Sequence, residues 1–233
     1  MNDRYDVPGR LFYDRWEAGH ALAPLLHRFK LEHPVVLGLP RGGVPIAAAI
    51  AEDLGAELDV VVARKLGAPE SPELAIGAVT ANGGQYFNKE IIQQLGVRPD
   101  YLEREVARQS EEAQLQEHLF RGPHHHIELE GRVVILADDG LATGATMRAA
   151  ARSARRRSPS RLIVAVPVGS VEACEALRED ADEVVCPHQP EPFWAVGFYY
   201  RNFEPVPDEE VTSTLASYRR RATTGPEPPV TRL

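Results

Sequence analysis

Two adjacent carboxylates, Asp138 and Asp139, end the apolar run Val133–Ala137 and lead into Gly140-Leu141-Ala142-Thr143-Gly144-Ala145-Thr146. Acids side by side at a strand end repel each other and any incoming anion unless they meet hydroxyl groups or a cation. The residues behind them favour the opposite charge. A turn of Gly, Ala and Thr that opens a helix offers unhindered backbone N–H groups, a helix N-terminus and the hydroxyls of Thr143 and Thr146. Those groups together seat a phosphate dianion. A sugar diol with Mg2+ satisfies the two acids, because magnesium takes a few carboxylates along with substrate phosphate oxygens. The segment asks for a ligand with a phosphate and a diol close together, as in ribose 5-phosphate. No Gly-Lys-Ser/Thr follows the strand and the glycines do not fall at G-x-G-x-x-G, so neither a P-loop nor a dinucleotide fingerprint is present.

Three further segments fall where ligands of a parallel sheet collect, beyond the carboxyl ends of strands. Leu39-Pro40-Arg41-Gly42-Gly43 ends the run Val35–Leu39, and its glycines let backbone N–H groups approach an anion. Taken alone it reads as a turn. Arg64-Lys65 closes the run Asp59–Ala63, and a basic pair there is by itself a solvated strand end. The stretch Leu66-Gly67-Ala68-Pro69-Glu70-Ser71-Pro72-Glu73-Leu74-Ala75 holds two prolines and a glycine and has no periodicity, which predicts a loop.

The order of apolar strand, two acids and Thr-Gly-Ala-Thr closely resembles the 5-phosphoribosyl-1-pyrophosphate (PRPP) motif of type I phosphoribosyltransferases. The resemblance covers about residues 35–187. With the N-terminal FYDRWEAGHALA and LGLPRGGVPIA included, the whole chain looks most like the bacterial predicted phosphoribosyltransferases of unassigned substrate. The resemblance implies that Thr143, Gly144, Ala145 and Thr146 bind the 5-phosphate, and that Asp138 and Asp139 hold the ribose hydroxyls and Mg2+. It also implies that Arg41, Gly42, Gly43 and Lys65 hold pyrophosphate, with Asp138, Asp139, Lys65 and Arg41 as the catalytic set. The proline-bearing stretch after Lys65 is similar to the family's mobile loop over PRPP. The segment PFWAVGFYYRNFEP resembles the base-stacking hood of the hypoxanthine-guanine enzymes, which makes Phe193 and Trp194 candidates against the acceptor.

Two departures bear on that acceptor. Where those enzymes carry an aspartate as general base, this chain has Ala142; where they place an aspartate near magnesium in the hood, it has Arg201. Both argue against a 6-oxopurine. They favour an acceptor that is already anionic, or one served by a hood base such as His188 or Glu191. The expected activity is Mg2+-dependent transfer of ribose 5-phosphate from PRPP to a small nitrogenous acceptor with release of pyrophosphate. The rival from another class is a non-catalytic PRPP-sensing regulatory protein, which would need neither Lys65 nor a closing loop.

The elements around these segments alternate short apolar runs with helical ones, the pattern of an α/β fold whose parallel sheet is covered on both faces. A type I phosphoribosyltransferase fold is expected, a mostly parallel central sheet flanked by helices with a small hood. Residues 10–221 read as one domain, with the core at about 30–187, the hood from 10–30 and 188–221, and loose termini at 1–9 and 222–233. Spacing predicts helices over Asp14–Phe29, Val44–Gly55, Pro99–Phe120, Ala145–Arg157 and Val171–Arg178. Asn88 is placed to cap a short helix ending near Gly96, and weaker or later strands fall at Ala75–Thr80, Leu162–Val166 and Glu183–Cys186. The Pro99–Phe120 helix has so thin an apolar stripe that it is expected exposed or at a homodimer contact.

Bulk properties exclude several classes. The 233 residues are 43% hydrophobic, enough for a core, and carry a net charge of −8, which disfavours broad affinity for nucleic acid or anionic membrane. No apolar run reaches the roughly 20 residues of a membrane span, and the N-terminal residues lack a signal-peptide pattern. Cys174 and Cys186, in no metal or redox spacing, read as two reduced thiols in a cytoplasmic protein. His124-His125-His126 reads as a surface loop, and Arg155-Arg156-Arg157 and Arg219-Arg220-Arg221 as cations at helix C-termini.

Overall fold

The computed structural model describes residues 9–224. Its strands are β1 Val35–Gly38, β2 Glu57–Val60, β3 Ala63–Ala68, β4 Ser71–Thr80, β5 Gln85–Phe87, β6 Val133–Ala137, β7 Arg161–Ala165 and β8 Glu183–Val185. The helices are α1 Arg15–Leu22, α2 Gly43–Leu54, α3 Lys89–Gln94, α4 Pro99–Arg121, α5 Ala145–Arg155, α6 Val171–Leu177 and α7 Asp208–Thr224. Five strands form a central sheet in the order β2-β1-β6-β7-β8, every pair parallel. Strands β1 and β6 are buried along their whole length, as Val-Val-Leu-Gly and Val-Val-Ile-Leu-Ala runs require when both faces are covered.

Alternation along each strand feeds two cores. Val36, Ile135 and Ile163 face a cluster with Leu22, Ile46, Ile50 and Leu215, so α1, α2 and α7 cover one side. Val35, Leu37, Val134, Leu136 and Val164 face the other side, packed on Met147, Ala150 and Ala154 of α5 and Ala173 and Leu177 of α6. The small residues of α2 let α1 lie close against it: a Cβ on Gly19 would stand 2.7 Å from that of Ala49. The helix stops at Gly55, in the left-handed region at φ 63°, where a side chain would be strained.

The α/β architecture expected from the sequence is present, with several changes in detail. The Asp14–Phe29 helix ends as α-helix at Leu22 and continues as a 3-10 helix over Ala23–Glu32, because Pro24 stands at its start. The single run Asp59–Ala63 divides between β2 and β3. The stretch after Lys65 is no loop: β3 and β4 pair antiparallel around Pro69-Glu70, and β5 completes a separate three-stranded sheet. Its prolines sit at the hairpin end, and the register shifts at Gly67 hid the alternation. Helix α4 buries Glu105, Gln109, Glu117 and Arg121 beside Ala113 and Phe120, so its inner face is largely polar. Arg121 pairs there with Asp59 and Glu117. Asn88 does cap α3 by accepting from Ile91 N–H. Of the termini expected to be loose, 1–8 and 225–233 lie outside the described residues, while 222–224 continue α7. No helix among the described residues is long and apolar enough to cross a membrane.

Candidate functional site

Register brings the two candidate loops together. Gly38 of β1 pairs with Ala137 of β6, so the two chains leave the sheet side by side, and Leu39 N–H donates to Ala137 O at 2.9 Å. A Cβ on Gly42 would stand 2.0 Å from Asp139 Oδ2, and one on Gly43 would stand 2.5 Å from Ala137 O and 2.9 Å from Asp138 Cα. Only glycine permits this approach, and it sets the Arg41-Gly42-Gly43 backbone directly against the acid pair.

Beyond the acids the chain turns and opens α5. Gly144 is its N-cap at φ 71°, a conformation that selects glycine, and no side chain caps the helix. The first backbone N–H groups of an α-helix have no partner within it, so those of Ala145, Thr146 and Met147 face the turn ready for an anion. Thr143 is exposed and Thr146 half-buried beside them. The turn is tied down from below, since Leu141 N–H donates to Val168 O, Ser170 N–H to Leu141 O and Ser170 Oγ to Ala142 O.

The acids carry an unusual load. Burial pushes the Asp138 carboxyl well above its ordinary pKa, the Asp139 charge adds to the rise, and Arg15 and Lys65 oppose it. Asp139 is raised as well, chiefly by burial, with Arg15 pulling it back. Lys65 is exposed on β3 close enough for its charge to act on Asp138. Arg41 is exposed at the rim, 3.4 Å from Asp208 at the start of α7. Lys65, Arg41, Gly42, Gly43 and the 138–146 turn thus converge at one end of the sheet.

The N- and C-terminal segments close over this end. Leu11 and Phe12 N–H groups donate to Tyr199 O, and Arg201 and Asn202 N–H groups donate to Phe12 O and Tyr13 O. Val196 rests on the turn: a Cβ at Gly140 would meet it at 2.7 Å. The two aromatic candidates separate here. Phe193 is half-buried and packs on Tyr199, with ring centroids 5.4 Å apart, whereas Trp194 is 71% exposed. His188 packs edge-on against Phe12, and Glu191 is exposed.

The phosphoribosyl transferase domain model matches residues 17–202, a span that includes the acid pair, both glycine-bearing turns and most of the covering segments. The chain belongs to this family. Within it, 206 residues are 41% identical to a Mycobacterium tuberculosis protein of strain H37Rv, named provisionally as a phosphoribosyl transferase, and equally to its counterpart in strain CDC 1551. The match covers 88% of this chain and 46% of the relative, so the chain spans about half the length of the curated relatives it matches. The crystal structure of TT1426 from Thermus thermophilus superposes with a TM-score of 0.76 at 45% identity, covering 89% of this chain and 99% of that one.

Two residues that touch the acid pair were not assigned to the site from sequence, although Tyr200 lies in the aromatic segment read as a hood. Arg15 Nε donates to Asp139 Oδ2 at 2.8 Å, its Nη1 donates to Glu204 O, and its guanidinium lies 3.8 Å over the Phe203 ring. Tyr200 donates its hydroxyl to Asp139 O at 2.7 Å. One signal for Arg15 existed. Asp14 caps α1, which puts Arg15 in the first turn, where a cation opposes the helix dipole. A residue that breaks a local rule is often held by a site elsewhere.

Proposed function

We propose that this chain binds PRPP with Mg2+ and transfers its ribose 5-phosphate to a small nitrogenous acceptor, releasing pyrophosphate. The observation that carries the reading is the contact of Gly42 and Gly43 with Asp138 and Asp139. It sets a backbone suited to pyrophosphate and a turn suited to a 5-phosphate on either side of one acid pair. Thr143, Gly144, Ala145 and Thr146 hold the 5-phosphate. Asp138 and Asp139 orient the ribose hydroxyls, and Arg41, Gly42, Gly43 and Lys65 hold pyrophosphate.

The donor set suits magnesium. Among the described residues no group of three or more His, Cys, Asp or Glu side chains is arranged to hold a metal, so the acid pair supplies at most two protein ligands. That is the pattern for Mg2+, which completes its shell with substrate phosphates and water. The buried, mutually repelling carboxyls also need a cation that Arg15 supplies to Asp139 alone by direct contact. When bound, the metal neutralises charge on the phosphate oxygens. No nucleophilic side chain is needed. Charge builds on pyrophosphate as its bond to the anomeric carbon breaks, and Lys65, Arg41 and the Gly42-Gly43 backbone meet it there. An acceptor on the opposite face inverts that carbon. The β3–β4 hairpin beside Lys65 acts as the cover that keeps water out.

The acceptor is anionic or non-purine. Ala142 is exposed where the resemblance calls for a base, and no carboxylate lies between Gly140 and Thr146 to replace one. A positioned base speeds proton transfer by about 10²–10⁴, so hypoxanthine and guanine are expected to turn over poorly. A steady-state assay with PRPP, Mg2+ and each base in turn tests this. Turnover of either purine in the ordinary enzyme range, about 1–10³ s⁻¹, would contradict it. Isotope exchange between pyrophosphate and PRPP in the presence of acceptors separates a transferase from a PRPP-sensing regulator, which would bind but not exchange.

A further inference from the structure

The two cysteines lie 12 positions apart in sequence order on different elements, yet they meet beneath the phosphate turn. Cys174 sits in α6 and Cys186 just past β8. Both sulfurs crowd one point: a Cβ at Gly169 would stand 3.0 Å from Cys174 Sγ and 3.3 Å from Cys186 Sγ. Both are free thiols, Cys174 buried and Cys186 half-buried. The same Gly169 position would lie 3.0 Å from Leu141 Cβ, so Gly169 stands between the pair and the floor of the turn, within one packed cluster. Backbone bonds join these parts. Gly169 N–H donates to His188 O, which also accepts from Cys186 Sγ at 3.4 Å, and Cys174 N–H donates to Ser170 O.

We propose that Cys174 and Cys186 are a dithiol pair that hydrogen peroxide closes to a disulfide, and that the Gly140–Thr143 turn feels the closure. The pair is primed by its own contact. The Cys186 thiol beside it lowers the Cys174 pKa, burial opposes this, and Arg178 adds to the lowering; the same contact raises Cys186. The Arg178 charge favours the thiolate at Cys174, and the thiolate is the nucleophile. Its sulfur attacks a peroxide oxygen, the O–O bond breaks, and hydroxide leaves, giving a sulfenic acid at Cys174. The Cys186 sulfur then displaces that hydroxyl, which departs as water with the Cys186 proton. The leaving hydroxide takes up a proton from solvent. In total two thiols are oxidised and one peroxide becomes two waters. The bridge ties α6, whose cap Ser170 holds Leu141 and Ala142, to the end of β8.

The test is to treat the full chain with hydrogen peroxide and map its peptides without reduction. The expected result is an intact mass lower by two hydrogen atoms, a Cys174–Cys186 linked peptide, and return to the parent mass with dithiothreitol. In a Cys186→Ser variant the sulfenic acid at Cys174 should persist and react with dimedone. Added oxygen at Cys174 of the parent without a link, or two thiols still fully alkylatable, would overturn the pairing, and the parent measurement stands even if the variant folds poorly. Hydrogen exchange on the linked form should slow at the amides of Leu141 and Ser170. A link with unchanged exchange there would overturn the coupling to the turn.

Discussion

Arg15 Nε donates to Asp139 Oδ2 at 2.8 Å, joining residues 124 apart in sequence through side chains that are only 10% and 16% exposed. The bond links the first turn of α1 to the carboxyl end of β6, so the covering segment and the acid pair are one electrostatic unit. Its position beside Gly42, whose Cβ would lie 3.0 Å from Arg15 Nε, adds the Arg41-Gly42-Gly43 turn to that unit.

Replacing Arg15 with Ala should destabilise the protein, since a shielded charge-assisted hydrogen bond contributes about 1.5–3 kcal/mol and Asp139 would be left buried without its partner. Urea unfolding at neutral pH reads the loss directly. Arg15→Lys should recover only part of it, because an ammonium neither forks nor stacks on Phe203 as a guanidinium does. An Arg15→Ala protein with the parent's unfolding midpoint would show that the contact is incidental.

The acid pair should make ligand binding and stability respond to pH in opposite directions. Burial and the Asp139 charge raise the folded-state pKa of Asp138 above its unfolded value, so the folded protein holds that proton more tightly. The pair's contribution to stability is therefore greatest below the ordinary carboxylate range and is lost as pH rises through the raised value. Binding of Mg2+ with PRPP needs the ionised form and should strengthen over the same rise. Asp138→Asn should melt higher than the parent at neutral pH and show a flatter dependence. Thermal melts from mildly acidic to neutral pH check this, and an unchanged melting profile in the variant would contradict it.

Two glycines should fail in different ways. Gly42→Ala places a methyl within 2.0 Å of Asp139 Oδ2, so the Asp139 carboxylate or the turn must shift, and PRPP affinity should drop while the fold survives. Gly55→Ala meets nothing within 4 Å, but its φ of 63° costs about 1–2 kcal/mol, so stability should fall and binding should not. Paired calorimetry and urea titrations separate the two. Equal loss of affinity in both variants would remove the distinction.

The β3–β4 hairpin should close on ligand. If Ala68–Leu74 covers bound PRPP, its amide exchange and its cleavage by protease should both slow when PRPP and Mg2+ are added. Equal rates with and without ligand would leave the hairpin as a static flank.

The central sheet was legible because buried parallel strands write themselves as unbroken runs: Val133–Ala137 has the bounds read from sequence, and β1 and β7 shift by a residue at their ends. The acid pair and the turn after it were legible because their chemistry is local. The hairpin was not, since Pro69, Pro72 and the register shift at Gly67 break the period that marks a strand. Arg15 and Tyr200 were not, because each reaches Asp139 only once segments far apart in sequence are brought together. The meeting of Cys174 and Cys186 was hidden for the same reason: their spacing matches no motif, and only the fold brings α6 and the end of β8 together at Gly169.

The claim that Asp138, Asp139 and the following turn bind PRPP with Mg2+ is tested most directly by calorimetric titration of PRPP and Mg2+ into the parent and into an Asp138→Asn/Asp139→Asn double variant. Each lost charge-assisted contact is worth about 1.5–3 kcal/mol, so the account predicts an affinity lower by about 10²–10⁴ in a protein that still folds. An unchanged affinity in the folded double variant would contradict it.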